Sequence, residues 1–177
     1  MKDEHSHQAP GAHDVRGLRP GPLVDHLEAV HHVYLKKELP RVADLLEAVL
    51  KIHGQDYPEL STIAEAFAEL QEELLTHLHR EEDVVFPAVR NFGKGRDSWF
   101  GAGGFSDPLF VLGEDHQDQK ILLEDLRRLT NHYQAPSGAD PVHVQLFGEL
   151  AALDADLVQH MFEEDELLFP MVARGER

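Results

Sequence analysis

The sequence predicts an all-α protein, an antiparallel up-and-down four-helix bundle with a flexible N-terminal tail. Three observations predict it. Four long stretches carry apolar residues at helical spacing, proline and glycine mark the breaks between them, and one histidine–glutamate motif recurs in the second and fourth stretches.

Residues 1–21 are polar, with Pro10, Gly11, Gly17 and Pro20 and no apolar period, so they read as a flexible tail carrying His5, His7 and His13. The bundle is expected over residues 22–177. A first helix is predicted from Pro22 to about Ile52 through Leu23, Leu27, Leu35, Val42, Leu46 and Val49, with Gly54 as its stop. Pro58 and Ser61 open a second, through Ile63, Phe67, Leu70 and Leu74 to about Val89. Between Asn91 and Asp107 lie five of the 13 glycines and no apolar period, which predicts a long crossover loop. The third helix is read from Pro108 to Tyr133, and the fourth from Pro141 to Val172.

At 177 residues and 42% hydrophobic, the chain suits one domain with one core. No stretch approaches the roughly 20 apolar residues of a membrane span, and the polar start lacks a signal-peptide core, so a soluble cytoplasmic protein is expected. A formal charge of -17 repels nucleic acid and anionic lipid, and neither is expected as a partner. With no cysteine, thiol nucleophiles, disulfides and thiolate metal sites are excluded. Any metal must therefore be held by histidine and carboxylate, and 13 histidines are present.

The repeat reads HLHREEDVVFP over residues 77–87 and HMFEEDELLFP over residues 160–170. In each copy a histidine precedes a glutamate by four residues, His77 with Glu81 and His160 with Glu164. Such positions share a helix face about 5–6 Å apart at Cβ, so each pair can present an imidazole and a carboxylate to one point. His77 shares its predicted face with Ala66, Leu70, Val84 and Ala88, and His160 with Leu153, Leu157, Leu167 and Met171, so both pairs point into the core. A carboxylate there costs several kcal/mol or takes up a proton, whereas a divalent metal favours its ionised form. His116 stands 44 residues before His160, on the face of Leu109, Leu112 and Leu123, and His32 stands 45 before His77. Periodicity on the first helix slightly prefers His31 to His32.

These residues resemble the hemerythrin-like (HHE cation-binding) di-iron proteins, most closely the iron–sulfur cluster repair (repair of iron centres) branch. The resemblance spans residues 22–172. It is carried by His32 followed by Leu39-Pro40, by Ile52-His53-Gly54 and Pro58-Glu59-Leu60, by Glu73 to Glu82, by Glu114-Asp115-His116 and by His160 with Glu164. Its register selects His32. The resemblance implies His32, His77, His116 and His160 as iron ligands and Glu81 and Glu164 as bridging carboxylates, holding two irons with an oxo or hydroxo bridge. The repair proteins carry a small cysteine-containing N-terminal domain, which this sequence is expected to lack. His53 falls in a family motif, but on a continuous helix it stands roughly 31 Å from His32, so a helix-end structural role is expected instead.

Glu73, Asp115 and Asp156 lie beside ligand histidines in sequence or on the helix face and are read either as hydrogen-bond partners of the imidazoles or as solvated acids. No catalytic residue is read beyond the metal centre itself. His26, His79, His132 and His143 match no constellation and are expected to be partly exposed. Trp99, Phe100 and Phe105 are read as loop anchors. Two function classes stay open. One is a di-iron oxidoreductase acting on dioxygen, peroxide or nitric oxide in stress response or cluster repair, with iron–sulfur client proteins. The other is a non-catalytic protein that binds or senses dioxygen or nitric oxide reversibly. The Glu-x-x-His spacing of ferritin-like iron stores is not what the two repeat copies show.

Overall fold

The structure, a computed structural model, describes residues 15–94 and 104–176. The predicted tail histidines His5, His7 and His13, and the loop residues Trp99 and Phe100, lie outside them. Among the described residues the architecture is all helical, with four long helices spanning residues 20–53, 59–93, 106–129 and 141–173. The first packs on the second and fourth, and the second on the third. Among the described residues, no helix is long and apolar enough to cross a membrane.

Local chemistry sets the ends. The fourth helix starts where the Asp140 carboxylate accepts the backbone N–H groups of Val142 and His143 at 3.0 and 2.9 Å, with Pro141 at its first position. The third helix stops at Leu129, short of the predicted Tyr133, because Asn131, His132 and Tyr133 take positive φ of 48°, 56° and 61°. Thr130 closes that end, its hydroxyl donating to Leu126 O and accepting from Tyr133 N–H. The first helix begins at Pro20, and the segment before it is not all tail: Val15 is buried beside Leu23, Val24 and Leu27. The second helix runs on through Gly93, so the crossover starts later than Asn91.

Three of the four helices widen to i→i+5 hydrogen bonding for one turn, at Glu28–His32, Glu81–Val85 and Glu163–Leu168. Each wide turn takes up an extra residue and rotates the chain that follows. The predicted core faces shift accordingly. Val84 is 42% exposed and Val85 is buried, while in the fourth helix Leu168 and Val172 are buried where Leu167 and Met171 were expected. The apolar core falls into two clusters. One is built around Leu39, Phe67, Leu123 and Leu150, the other around Leu27, Phe86, Leu112 and Leu168.

Candidate metal centre

All three wide turns occur where the helices carry the histidines and glutamates singled out by spacing. His32 comes from the first helix, His77 and Glu81 from the second, His116 from the third, His160 and Glu164 from the fourth. None of the six is more than 1% exposed. They form two overlapping groups, His32, Glu81, His160, Glu164 and His77, Glu81, His116, Glu164, in each of which one donor atom per residue lies within 4.8 Å of the others. The two glutamates belong to both. Glu164 sets Oε1 3.2 Å from His160 Nε2 and Oε2 3.2 Å from His116 Nε2. Glu81 Oε2 stands 3.4 Å from both His32 Nε2 and His77 Nε2.

Such a layer, buried between apolar clusters, is costly without a cation. Both oxygens of Glu81 and Glu164, with the Nε2 atoms of His32 and His160, have no hydrogen-bond partner. Burial and the neighbouring Glu164 charge push the Glu81 carboxyl well above the carboxylate range. Burial acts on Glu164 in the same direction, but His160, His116 and His77 outweigh it and hold it well below. His32 is lowered to about 4 by burial and then by His160, which leaves it a neutral ring. His116 rises to about 9 because Asp165 and Glu164 outweigh its burial, so a proton supplies positive charge beside Glu164 in the metal-free chain. Imidazole and carboxylate donors converging on shared points fit a pair of metal cations, which would supply that charge and release the proton.

The rings are aimed from behind. His32 Nδ1 lies 2.8 Å from Glu82 Oε1, His116 Nδ1 2.7 Å from Asp165 Oδ1, and His77 Nδ1 3.4 Å from Asp115 Oδ2. A carboxylate on Nδ1 fixes the N–H there and leaves the Nε2 lone pair for the centre. Each acid also meets a basic side chain: Glu82 with Lys36, Asp115 with Arg80, and Asp165 with Lys120 at 2.8 Å. Burial would raise all three carboxyls, and the imidazoles together with these basic partners keep them low. The Phe-Pro ends of the repeat complete the cage. Phe86 stacks on His32 with ring centres 5.2 Å apart, and Phe169 on His116 at 5.6 Å.

Some expectations are corrected here. Of the two readings of Glu73 the solvated acid holds: it is exposed and shares no bond with His77, whose Nδ1 partner is Asp115. Asp156 is buried, but it bonds His31 at 2.9 Å rather than His160, four residues along its own helix. His31 and His32 are both buried because the wide turn at Glu28–His32 brings consecutive residues inward, and it is His32 that faces Glu81. His143 is 1% exposed, against Phe147 and Tyr57, not at the surface; His26 is partly exposed as expected, and it lies within reach of Glu163. His79 and His132 are exposed as expected. His53 bonds Asp140 at 2.7 Å and stacks on His143, apart from the six. Phe105 meets Phe92 edge-on.

Sequence reasoning did not assign Glu82, Asp165, Lys36, Lys120, Phe86 or Phe169. The signal was present in the repeat: an acid after each shared glutamate, a phenylalanine at the same offset, and a lysine four residues after each outer histidine.

Compared with known proteins, the chain matches the hemerythrin HHE cation binding domain over residues 23–172. It belongs to that family. Among curated relatives, it is 26% identical to the iron-sulfur cluster repair protein ScdA of Staphylococcus haemolyticus, over 88% of this chain and 68% of that one. It is 28% identical to the iron-sulfur cluster repair protein DnrN of Neisseria gonorrhoeae, over 86% of this chain and 90% of that one. It is also 28% identical to the iron-sulfur cluster repair protein YtfE of Yersinia pseudotuberculosis, over 87% of this chain and 66% of that protein.

Proposed function

We propose that this HHE domain holds two irons through His32, His77, His116, His160, Glu81 and Glu164, and that it serves iron–sulfur cluster repair under nitrosative or oxidative stress. The observation that carries the reading is the near-symmetric donor set, with two imidazoles for each metal position and two carboxylates common to both. A mixed nitrogen and oxygen set with no thiolate suits iron among the redox-active metals. The relatives' names supply the repair assignment.

Two irons so held would supply Lewis acidity, redox change and open coordination positions for dioxygen, peroxide or nitric oxide. The protein's own part is to orient and to exclude. Glu82, Asp115 and Asp165 fix three imidazoles, and Phe86 and Phe169 wall off two of them. Those three acids also accept the ring protons.

The test is metal analysis of the anaerobically purified chain. Reduction and exposure to nitric oxide, dioxygen and peroxide would follow, and then incubation with an oxidatively damaged iron–sulfur enzyme. At least two irons per chain, consumption of the small molecule and recovery of the client's cluster are expected. Fewer than two metals sinks the centre, and a fully reversible spectrum with no client recovery would replace repair by carriage.

A further inference from the structure

Beside the pair, the geometry points to a third, separate divalent-cation site built by His26, His31 and Glu163. The repeat shows why this corner differs. The residue before His116 is Asp115 and the residue before Glu81 is Arg80, and these two pair with each other. The residue before His32 is His31 and the residue before Glu164 is Glu163. An acid closed by a fixed cation in one half is thus a histidine facing an acid in the other.

The corner holds two buried acids with no lysine or arginine beside them among the described residues. Asp156 and Glu163 are 3% and 2% exposed. Among the described residues no lysine or arginine reaches either one, whereas Glu82, Asp115 and Asp165 each have such a partner. Asp156 Oδ2 and Glu163 Oε2 accept no hydrogen bond, although Gln159 donates to the other Glu163 oxygen at 2.8 Å. Glu163 Oε2 faces two ring nitrogens, His26 Nε2 at 3.3 Å and His31 Nε2 at 3.6 Å, and one donor atom from each residue lies within 4.8 Å of the others. Donors about 2.1 Å from one tetrahedral ion stand about 3.4 Å apart. The two separations to Glu163 already bracket that value.

His31 also carries the device found on the main histidines. Asp156 takes its Nδ1 at 2.9 Å, as Glu82, Asp115 and Asp165 take those of His32, His77 and His116, which turns Nε2 toward Glu163. Two imidazoles and one carboxylate with an open position suit a first-row divalent ion such as ferrous iron or zinc, and its charge balances the two acids. The His26 side chain, 13% exposed, is the edge from which the ion enters. This site stands whether or not the neighbouring pair is iron.

The experiment uses the full chain, stripped with a chelator and titrated anaerobically with cobalt(II), read by visible absorption and by metal analysis after gel filtration. Wild type should saturate at three ions per chain. H26Q and E163Q, each with its helicity checked by circular dichroism, should saturate at two. Wild type saturating at two with H26Q unchanged overturns the site, as does a third ion that survives both substitutions. Emptying the six-residue centre with E81Q and E164Q together should leave one ion, and retention of none also overturns it. A wild type that binds a single ion lost in H26Q keeps this site and removes the pair.

Discussion

The half of the bundle around His32 and the half around His116 repeat each other closely where a ring is aimed and part company where charge is closed. Each outer histidine has an acid on Nδ1, a lysine four residues on that meets the acid, and a phenylalanine on its face. The inner histidines differ. His77 leans on Asp115, which Arg80 neutralises, whereas His160 Nδ1 has no partner and stacks beside His31 at 5.6 Å. Orientation of the donors thus follows the duplicated motif, while charge compensation is solved separately on each side.

The largest expected effect breaks the pair itself. Glu81→Ala or Glu164→Ala should each empty both positions of the proposed pair, because each carboxylate faces both, and leave only the ion proposed at His26, His31 and Glu163; loss of one ion only would show that the halves load independently. Removing the stacked rings should separate them next. Phe86→Ala, at a fully buried site, should cost about 3–5 kcal/mol of stability in denaturant unfolding, and Phe169→Ala less, since its ring is only partly buried.

Smaller changes test the acids behind the rings. Asp165→Asn and Glu82→Gln should each weaken metal affinity about 10–100-fold in chelator competition, and by similar factors if the halves are equivalent. Glu73→Gln should change nothing measurable, since Glu73 is exposed; a tenfold loss there would restore the role that spacing suggested for it.

The smallest effect lies at the far end of the bundle. Burial lowers the pKa of His143, and the charge of His53 adds to this, while Asp140 and Glu59 oppose both. A histidine depressed in the folded state stabilises fully above its ordinary value of 6.5 and loses that contribution as pH falls toward the folded value. Wild type should therefore lose stability relative to His143→Phe as pH drops below about 6.5, measured as the difference in unfolding midpoints. A constant difference across that range would overturn this reading.

The helices and four of the six converging residues were legible because histidine and glutamate at i, i+4 stayed in phase with the core leading up to them; His116 followed from the matching spacing of the two halves, and His32 only from the family resemblance, against the periodicity. What was not legible has a common cause. The periodic reading assumed 3.6 residues per turn throughout, and the wide turns break that count at the site. So Val84 was expected inside where Val85 is, Leu167 where Leu168 is, and His31 competed with His32 although both are buried. Glu73 and Asp156 occupy equivalent repeat positions with opposite fates, and only the neighbouring helix, which brings His31 to one of them, decides between them. His143 was hidden because its surroundings, Tyr57 and His53, come from a different part of the chain.

The basic side chains behind the acids have a wider reach than their contacts suggest. Lys36, Arg80 and Lys120 are 47%, 42% and 43% exposed, yet each stands one carboxylate away from an imidazole with almost no contact with water. The sealed chamber therefore has three electrical leads to the surface. Acetylating one of those lysines, or raising salt around it, changes how strongly its carboxylate pulls on the ring proton. The donor strength of a buried imidazole can in this way be tuned from bulk solvent while the bundle stays shut.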